Sequence, residues 1–175
     1  MSGDSLSFAS SEYYWMLALL LFARGMDFLS TWVATPTLAL EGNPIAKKLG
    51  WKLGGLLNLG LCFGFAFWPL PAVIIATTGV LVAAHNFHSA WLMRSLGEYE
   101  YRLWFTDRLY RSNMRLYFGC LFGETMLTAI VGGAILWFSP DDSVPFAIGV
   151  GIMAFAILVL FYTMLGVIRI RRRHD

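Results

Sequence analysis

Arg24, Asp27, His85, His88 and Glu124 are ionisable residues set inside stretches that are otherwise apolar enough to cross a bilayer. A charge at the bilayer centre costs about 2.5–3.5 kcal/mol on insertion scales, so each of these groups needs a partner or a task. Arg24 and Asp27 are three residues apart, neighbours on one helix face. The plain reading is a self-neutralising structural pair; the functional one is an anion-binding or gating arginine held by Asp27. His85 and His88 are also three apart. They suit either two neutral imidazoles bonded across helices, or a proton or metal site, because histidine titrates near neutrality and binds transition metals. A metal would draw on His85, His88, Glu124 and Asp27, although the H-E-x-x-H signature is missing. Glu124 reads as a carboxyl kept neutral by burial, or as a proton carrier or general base.

The elements that must position these groups are long apolar helices. The chain has 175 residues, of which 58% are hydrophobic and 14% charged, with a mean hydropathy of +0.63. Soluble domains carry about 25% charged residues. This balance excludes a soluble enzyme, a disordered tail or a nucleic-acid-binding module, and two cysteines are too few for a disulfide-stapled secreted domain. Cys62 and Cys120 read as free thiols. About 20 apolar residues are needed to cross a hydrocarbon core. The chain predicts an all-α integral membrane bundle, a single domain over 1–175, with spans near 13–34, 44–68, 72–93, 114–138 and 146–168. Asn43 and Pro44 fit an N-cap and first turn, and Trp68-Pro-Leu-Pro71 predicts a tight hairpin. Residues 94–113, where Tyr99, Tyr101, Trp104, Phe105 and Tyr110 mix with Arg102, Arg108 and Arg111, predict a cytoplasmic interfacial helix or a soluble hairpin.

Charge distribution predicts orientation. Apart from Arg24, the basic residues fall at Lys47–Lys52, Arg94–Arg115 and Arg169–Arg173, whereas Asp4, Glu12, Asp141 and Asp142 mark the other flanks. The positive-inside pattern then puts the N-terminus outside and the C-terminus in the cytoplasm of a cell or inner membrane, with anionic headgroups at Arg94–Arg115 and Arg169–Arg173. The N-terminus lacks the basic region of a signal peptide, so the first span is expected to stay. Trp15, Trp51, Trp68, Trp91 and Trp137 sit at span ends as an aromatic belt.

At 1.5 Å per residue, Asp27 and His85 lie roughly 10–12 Å from the inner end of their spans, His88 roughly 8 Å, and Arg24 and Glu124 roughly 15 Å. Helical phase groups Arg24, Asp27 and Thr31 on one stripe, His85, His88 and Ser89 on another, and Cys120, Glu124 and Thr128 on a third. With Asn58 and Asn86 these form an expected polar slab in the cytoplasmic half. Glu41 and Asn43 would stand at its inner mouth. Gly60 and Gly64, and Gly119 and Gly123, have the spacing that lets helices approach closely.

Asp27-Phe-Leu-Ser30-Thr31, followed by Glu41-Gly-Asn43-Pro44, resembles small polytopic membrane proteins of unknown function that carry D-x-x-[ST]-T and E-x-N-P. The resemblance implies that these residues form one unit and brings no reaction with it. There is no G-x-S-x-G, Walker loop, G-x-G-x-x-G or C-x-x-C. Three functions follow from the sequence: a scaffold or complex subunit, with a partner helix or a second copy; a proton- or cation-coupled small transporter using Glu124, His85 and Asp27; or a membrane-embedded metal-dependent enzyme.

Overall fold

The computed structural model describes residues 5–171, so Asp4, Arg172 and Arg173 lie outside the described residues. These residues form α1 (Ser11–Ala34), α2 (Pro44–Phe65), α3 (Pro69–Leu96), α4 (Glu98–Arg111), α5 (Met114–Phe138) and α6 (Val144–Arg171), and no strand occurs among them. Among the described residues, four helices are long and apolar enough to cross a membrane: α1, α3, α5 and α6.

Local chemistry fixes the ends. Ser10 caps α1 by accepting the Tyr13 amide at 3.2 Å, and Asn113 caps α5 by accepting the Arg115 amide at 3.0 Å. Asn43 accepts the Ile45 amide at 2.9 Å, with Pro44 in the first turn of α2, as the sequence predicts. Two expectations change. The tight reversal between α2 and α3 falls at residues 66–68, and Pro69 and Pro71 lie past it, opening α3, where a missing N–H leaves no bond unmade. Helix α2 does not run unbroken to Trp68. It ends at Phe65 and breaks at Gly50, whose φ of 67° only glycine adopts freely. Beyond the break, residues 51–65 reach about 22 Å, short of a hydrocarbon core of about 30 Å.

Helices α1 and α3 run side by side in the same direction. Ala23 faces Gly79, where a Cβ would meet the Ala23 carbonyl oxygen at 3.6 Å, and Ser30 faces Asn86. Helix α2 runs antiparallel beside α1, with Asn58 against Arg24 and Gly54 against Phe28. The largest contacts are α1 with α3, α5 with α6 and α3 with α6; α2 touches α1 and α3 only thinly. A core of Tyr13, Leu17, Leu20, Ala23, Cys62, Ala66, Ala72 and Ala76 closes one end.

The close backbone approaches are not made by the glycine pairs picked out from spacing. Gly60, Gly64, Gly119 and Gly123 each face open space. Helices α5 and α6 meet instead at Gly132 and Gly149, where a Cβ on Gly149 would stand 2.9 Å from the Gly132 carbonyl oxygen. Helix α6 meets α3 at Gly151, where a Cβ would stand 2.7 Å from Thr77 Cβ. Thr78 Oγ1 donates to the Gly151 carbonyl across that contact at 3.0 Å.

Candidate functional site

The polar residues divide into two clusters flanking α3. The first joins α1 to its neighbours. Arg24 Nη1 lies 2.9 Å from Asp27 Oδ2, and Arg24 Nε donates to Asn58 Oδ1 at 2.6 Å. Asn58 Nδ2 in turn donates to the Gly54 carbonyl at 2.8 Å. On the other face of α1, Asn86 Nδ2 donates to Ser30 Oγ at 3.3 Å, and Ser30 Oγ donates to the Asp27 carbonyl at 2.8 Å. One guanidinium therefore neutralises the carboxylate and ties α1 to α2, while a serine hydroxyl ties α1 to α3. Among the described residues, no buried polar side-chain atom lacks a hydrogen-bond partner. A cavity of about 200 Å³ lined by Leu20, Arg24, Leu61, Cys62 and Ile75 adjoins this cluster.

The second cluster joins α3 to α5. His85 Nδ1 lies 3.7 Å from Glu124 Oε1, and the His85 ring meets Phe155 of α6 edge-on with centroids 6.1 Å apart. Asn86 points at α1, so His85, one residue before it on the helix, points away from α1 toward α5. This cluster is open: His85 and Glu124 side chains are 42% and 57% exposed, against 29% and 17% for Arg24 and Asp27.

His88 is exposed and joins neither cluster. Thr31 is half-buried on α1, and the Thr128 hydroxyl is spent on the Glu124 carbonyl of its own helix at 2.9 Å. The four donors considered for a metal do not converge: Asp27 is engaged on α1, Glu124 meets His85 alone, and among the described residues no three of His, Cys, Asp and Glu are grouped to hold an ion. Cys62 is buried and Cys120 exposed, both free.

The α1–α2 loop holds residues the sequence did not single out. Glu98, first residue of α4, accepts Thr35 Oγ1 at 2.7 Å, the Thr37 amide at 3.0 Å, and the Thr37 hydroxyl. Partial burial pushes this carboxyl up. The hydroxyls of Thr37 and Thr35, the Thr37 amide and the Arg94 guanidinium outweigh it and hold it below the usual carboxylate range. Trp51 Nε1 donates to the Pro36 carbonyl at 2.8 Å, and Arg169 Nη1 donates to the Gly42 carbonyl at 3.1 Å. Glu41 Oε1 accepts the Asn43 amide at 2.7 Å and stands within electrostatic reach of Asp27, at the mouth of the first cluster. The available signals were an acidic residue directly after Gly97 and a Thr-Pro-Thr exit from the first span.

Comparison with protein families, characterised proteins and solved structures finds no match to the chain.

Proposed function

We propose that this chain is a structural subunit of a membrane assembly, with α2 as a fifth, broken span and α4 lying in the cytoplasmic interface. The observation that carries this is the packing of α2. Its inward face is a single stripe through buried Gly54, half-buried Asn58, buried Cys62 and the following Ala66, while Leu53, Leu56, Leu57, Leu61 and Phe63 are left exposed. A helix held to its own bundle along one narrow face offers the remainder to another helix. Gly60 and Gly64 lie on that open side, where a second helix approaches most closely. The polar residues of the first cluster are spent on each other, which suits a group that fixes register between helices.

Orientation follows from charge: N-terminus outside, with Lys47–Lys52, Arg94–Arg115 and Arg169–Arg171 facing anionic cytoplasmic headgroups. Helix α4 supports this. Tyr99, Leu103 and Tyr110 form an exposed apolar stripe beside its arginines, and its two ends lead directly into α3 and α5.

Detergent-free extraction into native nanodiscs followed by mass determination tests the reading. The expected result is a defined assembly heavier than one 19.6 kDa chain with its lipids. Replacing Gly60 and Gly64 with leucine should reduce it to single chains. A single chain from the unsubstituted protein contradicts the proposal.

A further inference from the structure

The Arg24 cluster explains itself; the His85–Glu124 pair does not. Glu124 sits ten residues into α5, about 15 Å along it, in one of the helices long enough to cross a membrane. More than half of its side chain is open to the surroundings of the bundle. A carboxylate there is costly unless it is neutralised. The groups around it are few. From α3 it meets His85, with His88 one turn further on; from its own helix, Tyr117 is within electrostatic reach and Cys120 lies one turn away. Helix α6 contributes the uncharged Phe155 ring against His85, and carries Tyr162 as its one titratable group before Arg169. Arg24 is engaged with Asp27 and Asn58 beyond α3. Among the described residues, no lysine or arginine forms an ion pair with Glu124.

Among the described residues, the charge partner of this carboxylate is therefore a side chain that itself gains and loses a proton. Carboxylate with imidazolium, and carboxyl with imidazole, are both net-neutral. They interconvert by moving one proton between Glu124 Oε1 and His85 Nδ1, with a small rotation closing the present 3.7 Å. Loss of that proton to water leaves a single negative charge with no fixed cation opposite it. We propose that His85 and Glu124 form a reversible proton-binding site in a membrane-facing groove between α3 and α5. It goes beyond the subunit reading and rests only on α3 and α5 crossing the bilayer.

The test is carbodiimide labelling of the full chain in phosphatidylethanolamine–phosphatidylglycerol vesicles, read by peptide mass spectrometry between about pH 5 and 8. A protonated carboxyl facing lipid reacts with apolar dicyclohexylcarbodiimide and is shielded from its water-soluble, charged analogue. Glu124 is expected to take the apolar reagent many-fold over the charged one, and Asp27 to take neither. The label should fall about tenfold per pH unit above its midpoint, as a single titrating proton requires. His85→Gln should move that midpoint, while His88→Gln should leave it in place. Equal labelling by both reagents, no label on Glu124 at any pH, or a midpoint indifferent to His85→Gln would each overturn the proposal. The first of these outcomes would place Glu124 in water, which is independent of whether the nanodisc mass exceeds one chain.

Discussion

At the scale of single residues, the decisive contrast is between a carboxylate with a permanent cation beside it and one without. Asp27 has Arg24 at 2.9 Å in a largely enclosed position, so removing the arginine leaves a charge with nowhere to go. Arg24→Met should cost about 3–5 kcal/mol of stability, the usual penalty for breaking a buried pair, and Arg24→Met with Asp27→Leu should recover most of it. Thermal unfolding in nanodiscs reads both; a double variant as unstable as the single one would contradict the pairing. Glu98 gives a pH dependence of opposite origin. Its carboxyl is held below its ordinary value of 4.5, so its hold on the α1–α2 loop is complete above that value and is lost as pH falls through the lower folded one. Protection of the Thr37 and Leu40 amides against exchange, relative to their intrinsic rates, should fall on acidification below about 4.5 and should be low at all pH in Glu98→Gln. The Arg24–Asp27 pair was legible in the sequence because a three-residue spacing on a helix fixes contact. The partners Asn58, Ser30 and Asn86 depend on how helices are rotated against one another. The capture of Thr35 and Thr37 by Glu98 spans more than 60 residues of chain that no local pattern connects.

At the scale of helices, caps and prolines could be read from the sequence, whereas close packing could not. Asn43-Pro44 and Asn113 mark starts because their chemistry is local, and α5 begins and ends where its apolar stretch does. Small-residue spacing marks a face on which an approach is possible without saying what approaches. The bundle uses Gly132, Gly149 and Gly151 internally and leaves Gly60, Gly64, Gly119 and Gly123 outside. Alanine substitutions should separate the two sets. Gly149→Ala and Gly151→Ala place a methyl group under 3.0 Å from neighbouring atoms and should destabilise the bundle by about 1–3 kcal/mol each. Gly60→Ala and Gly119→Ala meet nothing within 4 Å and, with the better helix propensity of alanine, should not lower the single chain's unfolding temperature. The same measurement contradicts the packing if the two sets behave alike. The break at Gly50 was not legible because Asn43-Pro44 already supplies a helix start and glycine is common in membrane helices; only its positive φ shows that the helix is interrupted there.

At the scale of the whole molecule, the helices are held in register so that polar side chains from several of them share one level. The 56-residue offset between Ser30 and Asn86 recurs between Ala23 and Gly79, which places His85 level with Leu29 and hence close to Asp27. Distances to span ends suggested one inward-facing slab. In the structure α3 stands between two separate groups and turns Asn86 one way and His85 the other. Spin labels on exposed positions at that level give the most direct test: Leu29 on α1, Leu57 on α2, Leu127 on α5 and Ile157 on α6, introduced singly as cysteines with Cys62 and Cys120 replaced. Depth from oxygen and nickel-chelate accessibility in vesicles should agree among all four to within about two helical turns, ~10 Å, and lie within the hydrocarbon. A Leu57 label in the headgroups or in water, or depths spread over several turns, would contradict the account.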